Sequence, residues 1–120
     1  MKTLKMTLLL SAVLGLIGSA VFAESDVERG KALFNDQKLG GGTVGRACSS
    51  CHKDGKGLES VAEKTEFRAM GKTYKSLEDI INYFIETAQK GKAIDPKSEQ
   101  MKDLIAYVKS IGKSASDKQK

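Results

Sequence analysis

The chain contains two cysteines, and their placement constrains its fold more than any other feature. Cys48 and Cys51 lie three positions apart, and His52, the single histidine, follows the second cysteine directly. Residues three apart on a helical turn face the same way, so both thiols can reach the two vinyl groups at one edge of a porphyrin. The imidazole of His52 then projects beneath the ring plane, where it can bind the iron. This spacing is the signature of covalent haem attachment, and it predicts one haem c held by Cys48, Cys51 and His52.

Three other uses of such a cysteine pair explain less of the sequence. A structural zinc site takes four ligands, whereas the whole chain offers two Cys and one His. A thioredoxin-like dithiol belongs in a βαβ pattern, which the sequence lacks. A disulfide would leave His52 unexplained, and it would leave a small chain without Trp short of a core. A bound haem would add apolar volume to that core and stabilise it.

The N-terminal segment has the composition of an export signal. Lys2 and Lys5 form a basic start, residues 6–22 carry no charge, and Val21 and Ala23 place small residues where a signal peptidase reads. We therefore expect cleavage after Ala23 and export, to the periplasm or an equivalent compartment.

The alternative reading of this segment is an uncleaved membrane anchor. Its uncharged run of 17 residues is shorter than the ~20 apolar residues that span a bilayer. We expect a signal peptide at 1–23, a soluble domain at 24–113 without stable membrane insertion, and a polar tail at 114–120.

Charge argues against a nucleic-acid partner. The formal net charge is +5, and it falls to +3 without residues 1–23, which carry Lys2 and Lys5. Nucleic-acid binding usually requires a concentrated basic surface and a matching fold pattern, and neither is evident.

The remaining sequence predicts an all-α fold. Acidic residues in a first turn favour a helix over 26–34. Ser76 is a good N-cap for a second amphipathic helix that Gly91 closes, and Ser98 begins a final helix that Gly112 ends. Residues 40–42 are three glycines, which predict a tight turn into the cysteines or a flexible linker. No segment alternates strongly enough to predict a strand.

With these residues in hand, the chain resembles the class I cytochrome c fold over nearly all of residues 24–120. Gly30 and Phe34 match the spacing in that family's N-terminal helix, and residues 103–108, Asp-Leu-Ile-Ala-Tyr-Val, are similar to its C-terminal helix. The resemblance implies that the two terminal helices cross over the haem and that an aromatic side chain packs across Gly30.

The second half is similar to the haem domains of thiosulfate dehydrogenases and related sulfur-oxidation cytochromes. The similarity rests on residues 76–79, Asn82, residues 91–92 and residues 98–101. In those relatives a Cys in the helix after Asn82 ligates the iron, but here residues 83–85 read Tyr-Phe-Ile. The departure puts sulfur chemistry in doubt.

The second axial ligand of the iron stays open at this point. Met101 lies at a distance from His52 that the family uses, but it also fits the apolar stripe of the last helix. Met70 lies in a predicted loop. In typical class I cytochromes the ligand is a Met in a loop like residues 91–96, where Ile94 stands here. Met101, Met70, a lysine and an open site all remain candidates.

The leading functional hypothesis is a monohaem electron carrier, not an enzyme, that exchanges single electrons with exported redox partner proteins. A haem subunit of a sulfur-oxidising enzyme and a ligand-binding haem protein with an open iron are the alternatives. Exposed lysines around the haem region would steer docking to an acidic partner; the alternative is an ordinary solvated surface. These lysines are Lys53, Lys56, Lys72, Lys75, Lys90 and Lys92.

Overall fold

The computed structural model describes residues 24–119. The predicted signal peptide at 1–23 and its cleavage after Ala23 lie outside these residues. The described elements follow in the order α1 (Asp26–Phe34), β1 (Phe67–Ala69), β2 (Lys72–Tyr74), α2 (Leu77–Thr87) and α3 (Glu99–Asp117). Four short 3-10 turns precede β1, at Leu39–Gly41, Cys48–Ser50, Lys53–Gly55 and Val61–Glu63. The helical fold class is thus confirmed.

A serine caps each of the three α-helices. The hydroxyls of Ser25, Ser76 and Ser98 accept hydrogen bonds from the backbone N–H three residues further on, at 3.2, 3.1 and 3.2 Å. Such caps satisfy N–H groups that have no partner inside the helix. The predicted starts of all three helices are confirmed, and so is the extent of α1.

The terminal helices α1 and α3 cross at Gly30. A Cβ at Gly30 would overlap the backbone carbonyl of Asp103 and press on Tyr107, so the absence of a side chain lets the two backbones meet. The rings of Phe34 and Tyr107 pack edge to face, with their centroids 5.1 Å apart. Arg29 donates two hydrogen bonds to the Asp103 carboxylate, at 2.9 and 3.1 Å. The expected aromatic packing across Gly30 is confirmed.

Two sets of hydrogen bonds fix the chain after α2. The Asn82 side chain donates to the Ile94 carbonyl and accepts from the Ile94 N–H, both at 2.9 Å. The Lys92 N–H donates to the Gly40 carbonyl at 2.7 Å, and a Cβ at Gly91 would lie 2.9 Å from that same oxygen. The glycine-rich segment is therefore packed against the chain beyond α2, as a turn and not as a free linker.

The β-hairpin corrects the expectation that the chain contains no strand. Strands β1 and β2 pair antiparallel, with Phe67 opposite Tyr74. Met70 and Gly71 form the turn with φ angles of 49° and 77°, and positive φ at both central residues suits a tight hairpin. Three-residue strands are too short for alternation to reveal them.

The ends of two helices also differ from expectation. α2 ends at Thr87, before Gly91, and α3 continues through Gly112 to Asp117. A Cβ at Gly112 would lie 2.5 Å from the Glu59 carbonyl oxygen. Gly112 therefore serves close packing of α3 against the chain after the cysteines, and not helix termination. Among residues 24–119, no helix has both the length and the apolar character that crossing a bilayer requires.

Candidate haem-binding site

The two cysteines and the histidine lie on one tight turn. Cys48–Ser50 forms a single 3-10 turn, and the Cys48 carbonyl accepts hydrogen bonds from the N–H groups of Cys51 and His52, at 3.3 and 3.1 Å. The Ala47 N–H donates to the Ser50 hydroxyl at 2.9 Å and closes the start of the turn. The local sequence thus folds into the helical turn that the spacing predicts.

Both thiols are free and line the same cavity as His52. Cys48 packs against the core, and burial raises the pKa of its thiol to about 11. Cys51 is exposed. Within residues 24–119, His, Cys, Asp and Glu side chains do not gather in a group of three or more that would hold a metal ion. Cys48 and Cys51 therefore present two free thiols to the same cavity.

The His52 ring is oriented by its own loop. Its Nδ1 lies 2.9 Å from the Lys56 carbonyl oxygen, which can only accept a hydrogen bond. Nδ1 therefore carries the proton, and Nε2 keeps the lone pair that a metal requires. Gly57, with a φ of 91°, lies against the ring: a Cβ there would be 3.5 Å from Nδ1. The loop therefore fixes the orientation of the imidazole through Nδ1, and Nε2 makes no hydrogen bond among the described residues.

The cavity beside these residues has a volume of about 630 Å³, within the usual range for ligand sites. The crossing helices contribute Phe34, Leu104 and Val108, and α2 contributes four apolar side chains. Polar side chains from the chain before and within β1, among them Lys64 and Arg68, also line it and are exposed. The lining is therefore mainly apolar, and the charged side chains in it lie on the segment before and within β1.

Gln89 is a cavity-lining residue that sequence reasoning missed. Its side chain is 2% exposed, and its Nε2 donates to the backbone carbonyls of Asp36 and Arg46, at 3.0 and 2.8 Å. Its Oε1 is buried without a hydrogen-bond partner among the described residues. No sequence signal marks this role, because a polar residue directly after a helix normally faces solvent.

Neither methionine considered as a ligand lines the cavity. Met101, on α3, is completely buried in the hydrophobic core. Met70 occupies the hairpin turn and is 87% exposed. The structure brings Cys48, Cys51 and His52 together and places both methionines elsewhere.

The donor set and the cavity fit a covalently bound haem. Two free thiols stand one turn apart, an imidazole presents a free Nε2, and mainly apolar walls enclose the space beside them. Cys48 and Cys51 would carry the thioethers and His52 would ligate the iron, which supplies a one-electron redox centre.

Comparison with protein families agrees with this site. The model of the SoxA/TsdA cytochrome c domain matches residues 29–116, which include most of α1, the cysteine turn, the cavity and nearly all of α3. No curated protein and no solved structure matches the chain. The match covers most of the chain and supports the resemblance to class I c-type cytochromes. The chain therefore belongs to the SoxA/TsdA cytochrome c domain family, and its described residues form a haem c domain for electron transfer.

Proposed function

We propose that this chain is a monohaem electron carrier that passes single electrons between exported redox proteins. The observation that carries the proposal is the site itself: two thiols and an oriented imidazole on one cavity. The sequence contains no third cysteine, which supports a single attached haem. A covalent bond keeps such a haem in the protein while the iron changes oxidation state.

Redox titration of purified holoprotein tests the carrier role. A carrier should titrate reversibly as a one-electron couple, and a haemochrome assay should return one haem per chain. Reduced protein should also transfer its electron to a ferric c-type cytochrome without added catalyst. Irreversible oxidation, or two haems per chain, would refute the proposal.

The partner proteins would be acidic at their docking site. Lys72, Lys90 and Lys92 are exposed, while Lys75 is engaged with Glu66 at 3.1 Å. Electrostatic steering predicts that electron transfer to an acidic partner slows as salt rises. Lys72→Glu and Lys92→Glu should slow it at low salt, with Lys109→Glu, on the exposed side of α3, as control. If all three variants slow electron transfer equally, the effect comes from the net charge of the protein and not from a docking site.

A haem subunit of a sulfur-oxidising enzyme is the second candidate, because the matching family is named for SoxA and TsdA. Thiosulfate with ferricyanide as electron acceptor separates the two functions. Turnover by the isolated chain would establish an enzyme. Reduction of the haem only when a separate enzyme is added would support the carrier.

A further inference from the structure

The wall that α2 contributes to the cavity offers no group that ligates iron. Its members are aliphatic or aromatic: Leu77, Ile80, Ile81 and Phe84. Ala88 extends the same wall beyond the helix end. Among the described residues, both cysteines and His52 lie on the cysteine turn and both methionines lie away from the cavity, while Lys64, on the exposed segment before β1, also lines it.

His52 and α2 line the cavity from separate parts of the chain. The Lys56 carbonyl and Gly57 hold the imidazole against the segment that directly follows the cysteines, and the next lining residues, Leu58 and Val61, continue that segment. α2 lies far along the chain and packs against α3 and the hairpin. A flat ring attached at one edge to the cysteine turn has two faces, and helix α2 and the segment that carries His52 are separate parts of the lining that can each cover one face.

We propose that α2 covers the face opposite His52, that the iron has no protein ligand there, and that a small neutral molecule such as carbon monoxide binds beside Phe84. Phe84 is the most exposed member of this wall, with 45% of its surface uncovered by protein. The inference goes beyond electron transfer. It depends on haem attachment at the cysteine turn but not on the carrier role.

The polar residue that follows this wall, Gln89, presents an acceptor and no free donor. Gln89 directly follows Ala88 and lines the cavity, but both hydrogen-bonding directions of its Nε2 are used by the carbonyls of Asp36 and Arg46. Only the acceptor Oε1 is unpartnered among the described residues. A bound anion is stabilised by hydrogen-bond donors in the pocket that surrounds it. The α2 wall and the acceptor beside it therefore offer an anion such as cyanide or azide no donor, whereas the cationic Lys64 and Arg68 lie on the exposed segment before and within β1.

Spectra of the wild-type holoprotein give the first test, and they require no variant. We expect a high-spin ferric spectrum at neutral pH and rapid, stoichiometric uptake of carbon monoxide by the reduced protein. A low-spin ferric spectrum with slow or absent carbon monoxide binding would overturn the proposal. If Lys64→Ala converts such a spectrum to high spin, Lys64 is the ligand.

A matched pair of variants on α2 tests the position. Phe84→His should give a low-spin ferric haem and block carbon monoxide. Tyr83→His should change neither, because Tyr83 does not line this cavity; its ring packs against those of Tyr74 and Phe84, with centroids 5.2 and 5.1 Å apart. If Tyr83→His alone changes the spin state, or if neither variant does, Phe84 does not face the iron.

A second pair tests selectivity. Phe84→Gln adds one hydrogen-bond donor to the wall and should raise the affinity of the ferric protein for cyanide about tenfold, the effect of one hydrogen bond to a charged group. Tyr83→Gln should leave it unchanged. Cyanide affinity that is equal in wild type and Phe84→Gln would overturn the polarity argument. Redox titration reports on the carrier role separately, so either proposal can fail alone.

Discussion

At the scale of single residues, the two cysteines are chemically alike but sit in different surroundings. Cys48 packs against the core, whereas Cys51 is exposed. We expect Cys48→Ser and Cys51→Ser each to reduce the yield of holoprotein strongly, because a hydroxyl does not add to a vinyl group as a thiol does. Cys48→Ser should also lower stability more, since it places a polar group against apolar side chains.

Haem content per chain and thermal denaturation measure both effects. Ser49→Ala is the matched control, since Ser49 lies between the cysteines and makes no hydrogen bond through its side chain among those described. Normal holoprotein from either cysteine variant would contradict thioether attachment at that position.

Gln89 joins two backbone segments with one side chain. Gln89→Met keeps the length of the side chain but removes the donors to the Asp36 and Arg46 carbonyls. We expect a loss of about 2–4 kcal/mol in the free energy of unfolding, from two lost hydrogen bonds and the carbonyls left without them. Chemical denaturation of the holoprotein measures it, and Gln100→Met, exposed on α3, should cost little. Equal losses would mean that the bonds contribute nothing specific.

At the scale of the elements, the crossing of α1 and α3 depends on the absence of a Cβ at Gly30. Gly30→Ala would force the backbones apart at Asp103, and we expect a loss of about 3 kcal/mol or more. Gly41→Ala provides the control, because a Cβ there meets nothing within 4 Å and only the φ of 77° is strained, at a cost of about 1–2 kcal/mol. A Gly30 variant no less stable than the Gly41 variant would refute the close approach.

The sequence predicts how these helices begin better than how they end. Ser25, Ser76 and Ser98 act through bonds to residues three positions on, so the signal is local and readable. Gly112 looks like a stop signal but lies inside α3, because its role is set by the Glu59 carbonyl far away in sequence. The hairpin turn at Met70 gives no signal either, since Met rarely adopts a positive φ.

At the scale of the whole molecule, the residues proposed to hold the haem could be picked out from the sequence, whereas the environment around them could not. Cys48, Cys51 and His52 are adjacent in sequence, so their spacing alone suggests the chemistry. The free Nε2 of His52 depends on where the Lys56 carbonyl lies, and the walls of the cavity come from three helices and the hairpin. Only tertiary structure shows that both methionines lie outside it.

A haem that fills a cavity of about 630 Å³ with mainly apolar walls would be part of the core. We therefore expect the haem-free chain to be largely unfolded, since a bound cofactor adds its binding free energy to stability. The double variant Cys48→Ser with Cys51→Ser, compared with holoprotein by circular dichroism, tests this. Native helix content in that variant without haem would contradict the expectation.

The crossing of the first and last helices also sets the order in which this protein can form. Arg29 and Asp103 are 74 positions apart, so α1 leaves the ribosome long before its partner is synthesised. A nine-residue helix is shorter than the ~12–15 residues that an isolated helix needs in water, and α1 therefore has no stable structure until α3 is complete. Until α3 docks against α1, the cysteine turn lies on an open chain and is accessible to whatever joins the haem to it. Docking of the last helix closes the back of the site.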